Sequence, residues 1–295
     1  MTSLSAWVRT TALAAAGSVL LATPALADPS IWHLSDEDSD IYVFGTVHIL
    51  RPDVVWRTED VMAAFEASET VYFEAPVNDP AEAAAMVPLV QRYGFNPAGE
   101  TLTSRISDNG AALLERIAPR VGLTTAMLEP LRPWLASVTI TLQYISAQGY
   151  DPQSGVEATL WPMANEAGKT LAYFETIEEQ LGFFGGLPEE VENVMLEQTL
   201  ERIEEAPGML DGLVTAWAEG DQAMIDELMN GDFRDESPEV HDIIIVQRNA
   251  RWVDDIEELL AGSGTVFIAV GAGHLPGDEG VIAMLRARGH TVEGP

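Results

Sequence analysis

Residues 41–50 read IYVFGTVHIL, and residues 264–274 read GTVFIAVGAGH. Each stretch contains a continuous apolar run, then a glycine, and a histidine three residues after that glycine. A continuous run of β-branched and aromatic residues is typical of a strand in the middle of a sheet whose two faces are covered by helices. The chain therefore carries the same strand-GxxH arrangement twice, with His48 near one end and His274 near the other.

The carboxyl ends of these two predicted strands are the expected place for a site. If the strands are parallel neighbours, His48 and His274 emerge at the same edge of the sheet, where open α/β sheets bind their ligands. A third apolar run, residues 70–73, ends at Glu74, and Pro76 prevents regular continuation of that strand. We expect the two histidines and Glu74 to converge at this edge.

Two imidazoles and one carboxylate make a three-ligand site for a divalent metal, with positions left for water and substrate. The glycine before each histidine permits a sharp turn or a close backbone approach that presents the ring to the cleft. The pattern taken alone leaves a second interpretation open, in which each histidine is a polar cap with a hydrogen-bonded ring.

The rest of the chain indicates an α/β protein with a central sheet flanked by helices. Short strands are predicted at residues 32–34 and 170–174, and most of the sequence from about 80 to 260 has a helical pattern. No linker rich in Pro, Gly or Ser divides the chain. We therefore expect one domain, residues 28–295, with a large helical insertion at about 80–260.

The first 27 residues have the pattern of a secretory signal peptide. A short segment with Arg9 precedes an apolar run at about 11–23, and the small-x-small sequence Ala-Leu-Ala follows at 25–27. This predicts a mature chain that begins at Asp28 and is exported to the periplasm or the extracellular space, with no stable membrane anchor after cleavage. The alternative is an uncleaved anchor, for which the apolar run is short.

The composition excludes several functional classes. A formal net charge of −32, from 47 acidic residues against 15 Lys and Arg, repels nucleic acid phosphates and anionic lipids. The chain has no cysteine, so disulfides, thiolate zinc sites and cysteine nucleophiles are excluded. No G-x-S-x-G elbow is present, which argues against an α/β-hydrolase. The oligomeric state has no signature in the sequence.

A series of short motifs, in order and spacing, resembles the TraB/GumN family, which includes the PrgY proteins and the Tiki metalloproteases. The resemblance covers nearly all of the predicted mature chain. The motifs are GTVH (45–48), YFE (72–74), RPW (132–134), GVE (155–157), FETIEEQ (174–180), WAEGD (217–221), QRNARW (247–252) and GAGHLPGDEG (271–280).

The resemblance implies a fold akin to the erythromycin esterase and ChaN group, with a central sheet and surrounding helices. It implies that His48, Glu74 and His274 match the residues on which the metal-dependent peptidase activity of Tiki proteins is thought to depend. The expected cofactor is then manganese or cobalt, with zinc as an alternative. Tiki enzymes cut secreted signalling proteins and PrgY-like members limit a peptide pheromone, so the expected partner is a peptide or protein substrate.

The expected roles at the site follow from this resemblance. His48 and His274 hold the metal, and Glu74 either completes the ligand set or takes the proton from a metal-bound water. Arg248 matches the family's Arg-Asn pair and could stabilise an oxyanion or clamp a substrate carboxylate, with Asn249 supporting it. The alternative for Arg248 is a bridge between acidic helices.

Other polar residues have weaker signals. Glu157, Glu175 and Gln180 match family motifs and could orient an imidazole or an arginine, although solvated surface positions are an alternative in so acidic a chain. His33, His241 and His290 lack the glycine context and are expected to be surface or capping residues. The sequence thus favours an exported metal-dependent peptidase. The alternatives are a non-catalytic protein that binds a peptide, metal or haem, and an esterase-type hydrolase.

Overall fold

The computed structural model describes residues 28–206 and 208–295, and within these residues five β-strands form one mixed sheet. The strands are β1 (Ile31–Ser35), β2 (Ser39–Thr46), β3 (Thr70–Phe73), β4 (Thr170–Tyr173) and β5 (Gly264–Gly271). Their spatial order is β1-β2-β5-β3-β4. Only β1 runs antiparallel to its neighbour, as the first arm of a hairpin with β2. The predicted α/β class is confirmed.

The two GxxH strands are parallel neighbours in the middle of the sheet. In the pairing of β2 with β5, Thr46 lies opposite Gly271, so the two strands end at the same level. On the other side of β5, Phe73 of β3 lies opposite Ala269. The carboxyl ends of β2, β5 and β3 therefore meet at one edge, which confirms the predicted arrangement of these strands.

The same described residues contain fourteen α-helices. They are α1 (Glu59–Ala67), α2 (Pro80–Gly94), α3 (Asp108–Ile117), α4 (Thr125–Leu128), α5 (Pro133–Ala147), α6 (Val156–Glu166), α7 (Ile177–Gly185), α8 (Glu189–Glu205), α9 (Met209–Ala218), α10 (Gln222–Asp226), α11 (Asp232–Glu236), α12 (Pro238–His241), α13 (Gln247–Leu260) and α14 (Val281–Ala287). Two π-helical turns, Glu227–Gly231 and Asp242–Val246, precede α11 and α13.

Successive side chains of β5 contribute to two hydrophobic cores, one on each face of the sheet. Phe267 and Ala269 join a cluster with residues of α1, α6 and α9. Val266, Ile268 and Val270 join a second cluster with residues of α13 and α14. Because successive side chains of a strand point to opposite faces, a strand covered on both faces needs an apolar residue at every position.

A third core packs α3, α4, α5 and α8 together, and we call these four helices the helical block. It is formed by apolar side chains of α3, α4, α5 and α8, among them Leu114, Ile140 and Leu200. The chain segment between β3 and β5, to which these helices belong, also contributes β4 to the sheet and α13 to one face of the sheet. The helical stretch predicted at about 80–260 therefore includes elements of the central layers.

The amino-terminal prediction lies outside this description. The predicted signal peptide, residues 1–27, falls outside the described residues. Among the helices of residues 28–206 and 208–295, none is long and apolar enough to cross a membrane.

Candidate functional site

The first GxxH turn places His48 at the open end of β2, with its ring 64% exposed. The ring Nδ1 lies 2.7 Å from Oε1 of Glu157, which stands in the first turn of α6. A carboxylate near a helix N-terminus is favoured by the helix dipole. The contact fixes the orientation of the ring and directs Nε2 away from Glu157.

Gly155 is the reason that α6 can approach the GTVH turn closely. A Cβ atom at this position would lie 1.9 Å from the backbone oxygen of His48, so any side chain would force the two segments apart. The N–H of Val156 donates to the oxygen of Val47 at 3.1 Å and fastens the start of the helix to the turn. The GVE motif thus positions Glu157 through the backbone of its glycine.

Glu157 links the histidine to the end of β2. Its Oε1 also accepts a hydrogen bond from the buried hydroxyl of Thr46, whereas its buried Oε2 has no hydrogen-bond partner among the described residues. The negative charge of Glu157 raises the pKa of His48 to about 9, because it outweighs the opposing loss of hydration around the ring, which is still partly open to solvent. His48 is therefore protonated at neutral pH when nothing else binds its Nε2.

The second GxxH turn places His274 in a buried position, and its tautomer follows from its neighbours. The amide nitrogen of Asn249 donates to the backbone oxygens of His274 at 3.2 Å and Glu279 at 2.8 Å. The amide oxygen of Asn249 therefore faces Nδ1 of His274, 2.7 Å away, and accepts a hydrogen bond from its N–H. Burial lowers the pKa of His274 to about 3, so the ring is neutral with a lone pair on Nε2.

Glu74 directly follows β3, and its carboxylate lies near both histidines. Its Oε1 accepts the N–H of Gly271 at 2.7 Å and lies 4.0 Å from Nε2 of His274, and its Oε2 accepts from Gln180 at 3.2 Å. Burial opposes ionisation of this carboxyl, but neighbouring positive groups and the Gly271 N–H lower its pKa to about 2. Because the His274 ring is neutral at pH 7, Arg248 and His48 supply the positive charge there.

Arg248, in the first turn of α13, holds the carboxylates of the site in place. Its Nε and Nη2 donate to the two oxygens of Glu175, each at 2.8 Å, and Nη2 also donates to Glu74 at 2.7 Å. Its Nη1 contacts the oxygen of Ile244 and Nε2 of His274, each at 3.1 Å. These five contacts match the five N–H donors of a guanidinium, so this arrangement leaves no donor for a substrate.

Side chains of Glu74, His274 and His48 approach the Cα of Gly271. A Cβ atom on this glycine would lie 2.9 Å from Oε1 of Glu74, 3.6 Å from Cδ2 of His274 and 3.8 Å from Nε2 of His48. The absence of a side chain at this position keeps the space between them open. Within residues 28–206 and 208–295, no three His, Cys, Asp or Glu side chains are already grouped closely enough to hold a metal ion.

Two cavities, each of about 380 Å³, adjoin these donors and share His48, Glu74 and Gln180 as walls. The first pocket is lined further by apolar residues that include Val77, Leu142 of α5 and Trp161 of α6. The second pocket is lined further by Phe184, Met195, Met229, Phe233, Ile244 and Ile245. The donors thus lie at the junction of two apolar pockets.

The structure brings together all of the residues that the sequence singled out for this site. His48, Glu74 and His274 surround Gly271, and the four supporting candidates contact them directly or through one another: Glu157, Glu175, Arg248 and Asn249. Glu157 and Glu175 are buried, so the alternative of solvated surface positions is wrong. For Arg248, the alternative was a bridge between acidic helices; it does bridge two carboxylates, but Glu74 and Glu175 follow strands β3 and β4 and belong to no helix.

Sequence reasoning missed other residues at the site. Thr46, which fixes Glu157, has no distinguishing local pattern beyond the family motifs. Gln180, which was a candidate from the family motifs together with Glu157 and Glu175, lines both pockets. His241 was expected to be a surface or capping residue, but it is buried, lines the second pocket and lies 3.5 Å from Glu279. Its position depends on the packing of α12 against the site, which the local sequence does not reveal.

Comparison with known proteins gives two matches of different strength. The model of the TraB/PrgY/gumN family matches residues 30–294. An uncharacterized protein of Treponema pallidum (strain Nichols) is 21% identical over 274 residues, which is 87% of this chain and 80% of that protein. No solved structure matches the chain.

Proposed function

Because the chain belongs to the TraB/PrgY/gumN family, we propose that it is an exported metal-dependent hydrolase that cleaves peptide bonds at the site around Gly271. The observation that carries this proposal is the convergence of two imidazoles and one carboxylate on a space that a single Cβ would fill. Two histidines and a carboxylate at strand ends are a common catalytic donor set for divalent transition metals.

The donor set fits such a metal in kind and in orientation. The Nδ1 atoms of both rings are held by second residues, Glu157 for His48 and Asn249 for His274, which is how proteins fix histidine ligands. Nε2 of His274 carries the lone pair that a metal needs, and Nε2 of His48 becomes available when its proton is released. Metal binding at both rings requires Arg248 to give up its contact with His274.

We propose manganese or cobalt as the metal, with zinc as the third candidate, on the basis of the resemblance to Tiki proteins. When bound, such a metal supplies a Lewis acid that polarises a carbonyl and makes bound water more acidic. Glu74 is ionised at neutral pH and is either a ligand or the group that accepts a proton from water. Arg248 holds Glu74 in place, and the exposed face of His48 gives access to solvent.

The test is a titration of the metal-stripped chain with manganese, cobalt and zinc. We expect about one metal per chain, with affinity lowered at least about tenfold by His48→Ala and by His274→Ala. His290→Ala is the matched control, because His290 also pairs with a glutamate, Glu257 at 2.7 Å, but lies outside the site. Folding of each variant is checked by circular dichroism.

Activity is then measured with the metal that binds, on panels of peptides and of esters. Cleavage of peptides that is lost in the His48 and His274 variants and retained in His290→Ala supports the proposal, and preference for esters would favour an esterase-type hydrolase instead. Equal metal binding by the wild type and both site variants would exclude these histidines as ligands.

Export is a separate part of the proposal and has its own measurement. The amino-terminal sequence of the chain recovered from the periplasm or culture medium is expected to begin at Asp28. Recovery of the chain only in the membrane fraction with residues 1–27 intact would contradict it.

A second function is favoured by one specific contact. Arg248 already occupies the lone pair of His274 that a metal needs, and it bonds Glu74 at the same time. This arrangement also suits a protein that captures a peptide in the cleft without cleaving it. Saturable peptide binding, with no product formed in the presence of any of the three metals, would select this function.

A further inference from the structure

The two pockets adjoin at the site. They share His48, Glu74 and Gln180, so a ligand that occupies both pockets passes next to these residues. Each pocket, at about 380 Å³, falls within the usual range of about 300–1,000 Å³ for small-molecule sites. Two pockets that share the reactive groups as a wall suit the middle of a chain better than its end, because each pocket can hold one side chain.

The first pocket exposes apolar surface that the fold leaves uncovered. Val77 and Leu142 are 43% and 42% exposed, and both belong to its walls. Trp161 completes the wall, and its indole N–H is already bonded to the hydroxyl of Tyr173 at 3.0 Å. The indole therefore offers mainly apolar surface to a ligand.

The second pocket has the same chemistry, although mostly different helices line it. Phe184, Met195, Phe233 and Ile244 are only partly buried and face a common cavity. Methionine side chains adapt to ligands of different shape because they are flexible and polarizable.

Few ionisable side chains line the two pockets. Among the described residues that line the first pocket, the ionisable ones are His48, Glu74 and Glu157. The second pocket adds His241, His274 and Arg248, and the five donors of Arg248 are already engaged. Apart from the shared His48, whose Nδ1 pairs with Glu157, these described residues include no Lys or Arg with a free donor for a substrate carboxylate.

We infer that the site takes an extended peptide segment with large uncharged side chains on both sides of the bond over the donors, one in each pocket. This inference rests on the proposed function, because it assigns the substrate of the same site. It excludes acidic side chains next to that bond, since they would enter apolar pockets in a protein of net charge −32.

The experiment measures binding without turnover, so that it is independent of cleavage. The full chain, in EDTA and about 0.15 M salt, is titrated with capped hexapeptides that differ only in their central pair: Leu-Leu, Glu-Leu or Leu-Glu. We expect each single glutamate to weaken binding at least about tenfold, because one buried leucine side chain is lost and a charge is placed in its pocket.

Lysine variants then assign each pocket to one side of the peptide. Leu142→Lys in the first pocket should strengthen binding of only one of the two glutamate peptides, and Phe233→Lys in the second pocket should strengthen binding of only the other. Met127→Lys is the control, because Met127 is 59% exposed and lies outside both pockets. It reports the long-range effect of one added positive charge on an acidic protein.

The outcomes separate this inference from the proposed hydrolase. If each lysine variant strengthens binding of a different glutamate peptide, the inference is supported even when no metal promotes cleavage. In that case only the hydrolase proposal fails. Equal binding of the three peptides, no binding of the Leu-Leu peptide up to millimolar concentration, or equal rescue by Met127→Lys overturns the inference.

Discussion

Gly271 has a chemical reason to be glycine that differs from the usual need for unusual backbone angles. Its Cα faces the space bounded by Glu74, His48 and His274, and a Cβ atom would approach the nearest oxygen of Glu74 to 2.9 Å. The same residue donates its N–H to that oxygen. One small residue therefore both keeps the space open and holds the carboxylate at its border.

We expect Gly271→Ala to weaken metal binding at least about tenfold, because the added methyl group displaces Glu74 from the shared space. Its cost in stability should be about 1–3 kcal/mol, the usual range for overpacking. The measurements are metal titration and urea unfolding. Gly182→Ala is the matched control, since a Cβ atom at Gly182 in α7 meets nothing within 4 Å. Unchanged metal affinity in Gly271→Ala would contradict the assigned site.

The pairing of His48 with Glu157 makes a second prediction at this scale. The carboxylate raises the pKa of His48 to about 9, so Glu157→Gln should return the pKa of His48 toward its ordinary value of about 6.5. The measurement is an NMR titration of the histidine rings in the metal-free chain, with His33 as an internal reference. A pKa of His48 that does not change in Glu157→Gln would exclude this ion pair in solution.

The sign of the linked stability effect follows from that shift. Because the folded-state pKa of His48 is above its unfolded value, the stabilisation by Glu157 is fully present below about pH 6.5 and is lost as the pH rises through about 9. Metal binding has the opposite dependence, since Nε2 must lose its proton first. Metal affinity should therefore increase with pH up to about 9 in the wild type, and less steeply in Glu157→Gln.

At the scale of elements, one buried ion pair joins the two central helices of the helical block. Arg132, at the start of α5, bonds the carboxylate of Glu192 in α8, whose side chain is fully buried. The backbone N–H of Trp134 also points to this carboxylate, at 3.5 Å. Glu192 therefore has a cationic partner in Arg132, and it also faces a backbone N–H in the first turn of α5, where N–H groups lack partners within the helix.

We expect Glu192→Ala to lower the free energy of unfolding by about 3–5 kcal/mol, because it leaves Arg132 without its buried partner. Glu192→Gln should cost less, since the amide still accepts a hydrogen bond. The control is Glu204→Ala, which breaks the exposed pair of Glu204 with Arg116 and should change stability little. Urea unfolding measures all three, and an equal effect of Glu192→Ala and Glu204→Ala would refute the structural role of the buried pair.

At the scale of the whole molecule, the net charge of −32 dominates the electrostatics. Mutual repulsion of so many acidic side chains destabilises the compact state, and salt weakens that repulsion. From 0.01 M to 1 M ionic strength, the Debye length falls from about 30 Å to about 3 Å. The stability of this protein should therefore depend on salt more strongly than that of a neutral protein of similar size.

We expect the melting temperature of the metal-free chain to rise with sodium chloride across this range. Potassium chloride in EDTA should give the same rise, which separates screening from binding of a specific cation or of trace metal. Differential scanning calorimetry is the measurement. A melting temperature that falls, or that responds to only one of the two salts, would show that general repulsion is not the cause.

The sequence by itself determined the central strands and the members of the candidate site. The apolar runs before the two GxxH turns predicted neighbouring strands in the middle of an α/β sheet, and the structure has them paired in parallel. This succeeded because burial on both faces imposes an apolar residue at every position, which is a local pattern. The family motifs pointed to Glu157, Glu175 and Asn249, whose own local patterns are uninformative.

Only the tertiary structure decided how these residues meet. Thr46 and Glu157 are 111 positions apart, and Glu74 and Arg248 are 174 apart. Such contacts depend on how helices pack against the sheet, which no local periodicity encodes. The same reason explains why the burial of His241 was missed and why the two apolar pockets were not foreseen, since each pocket is assembled from several helices around one sheet edge.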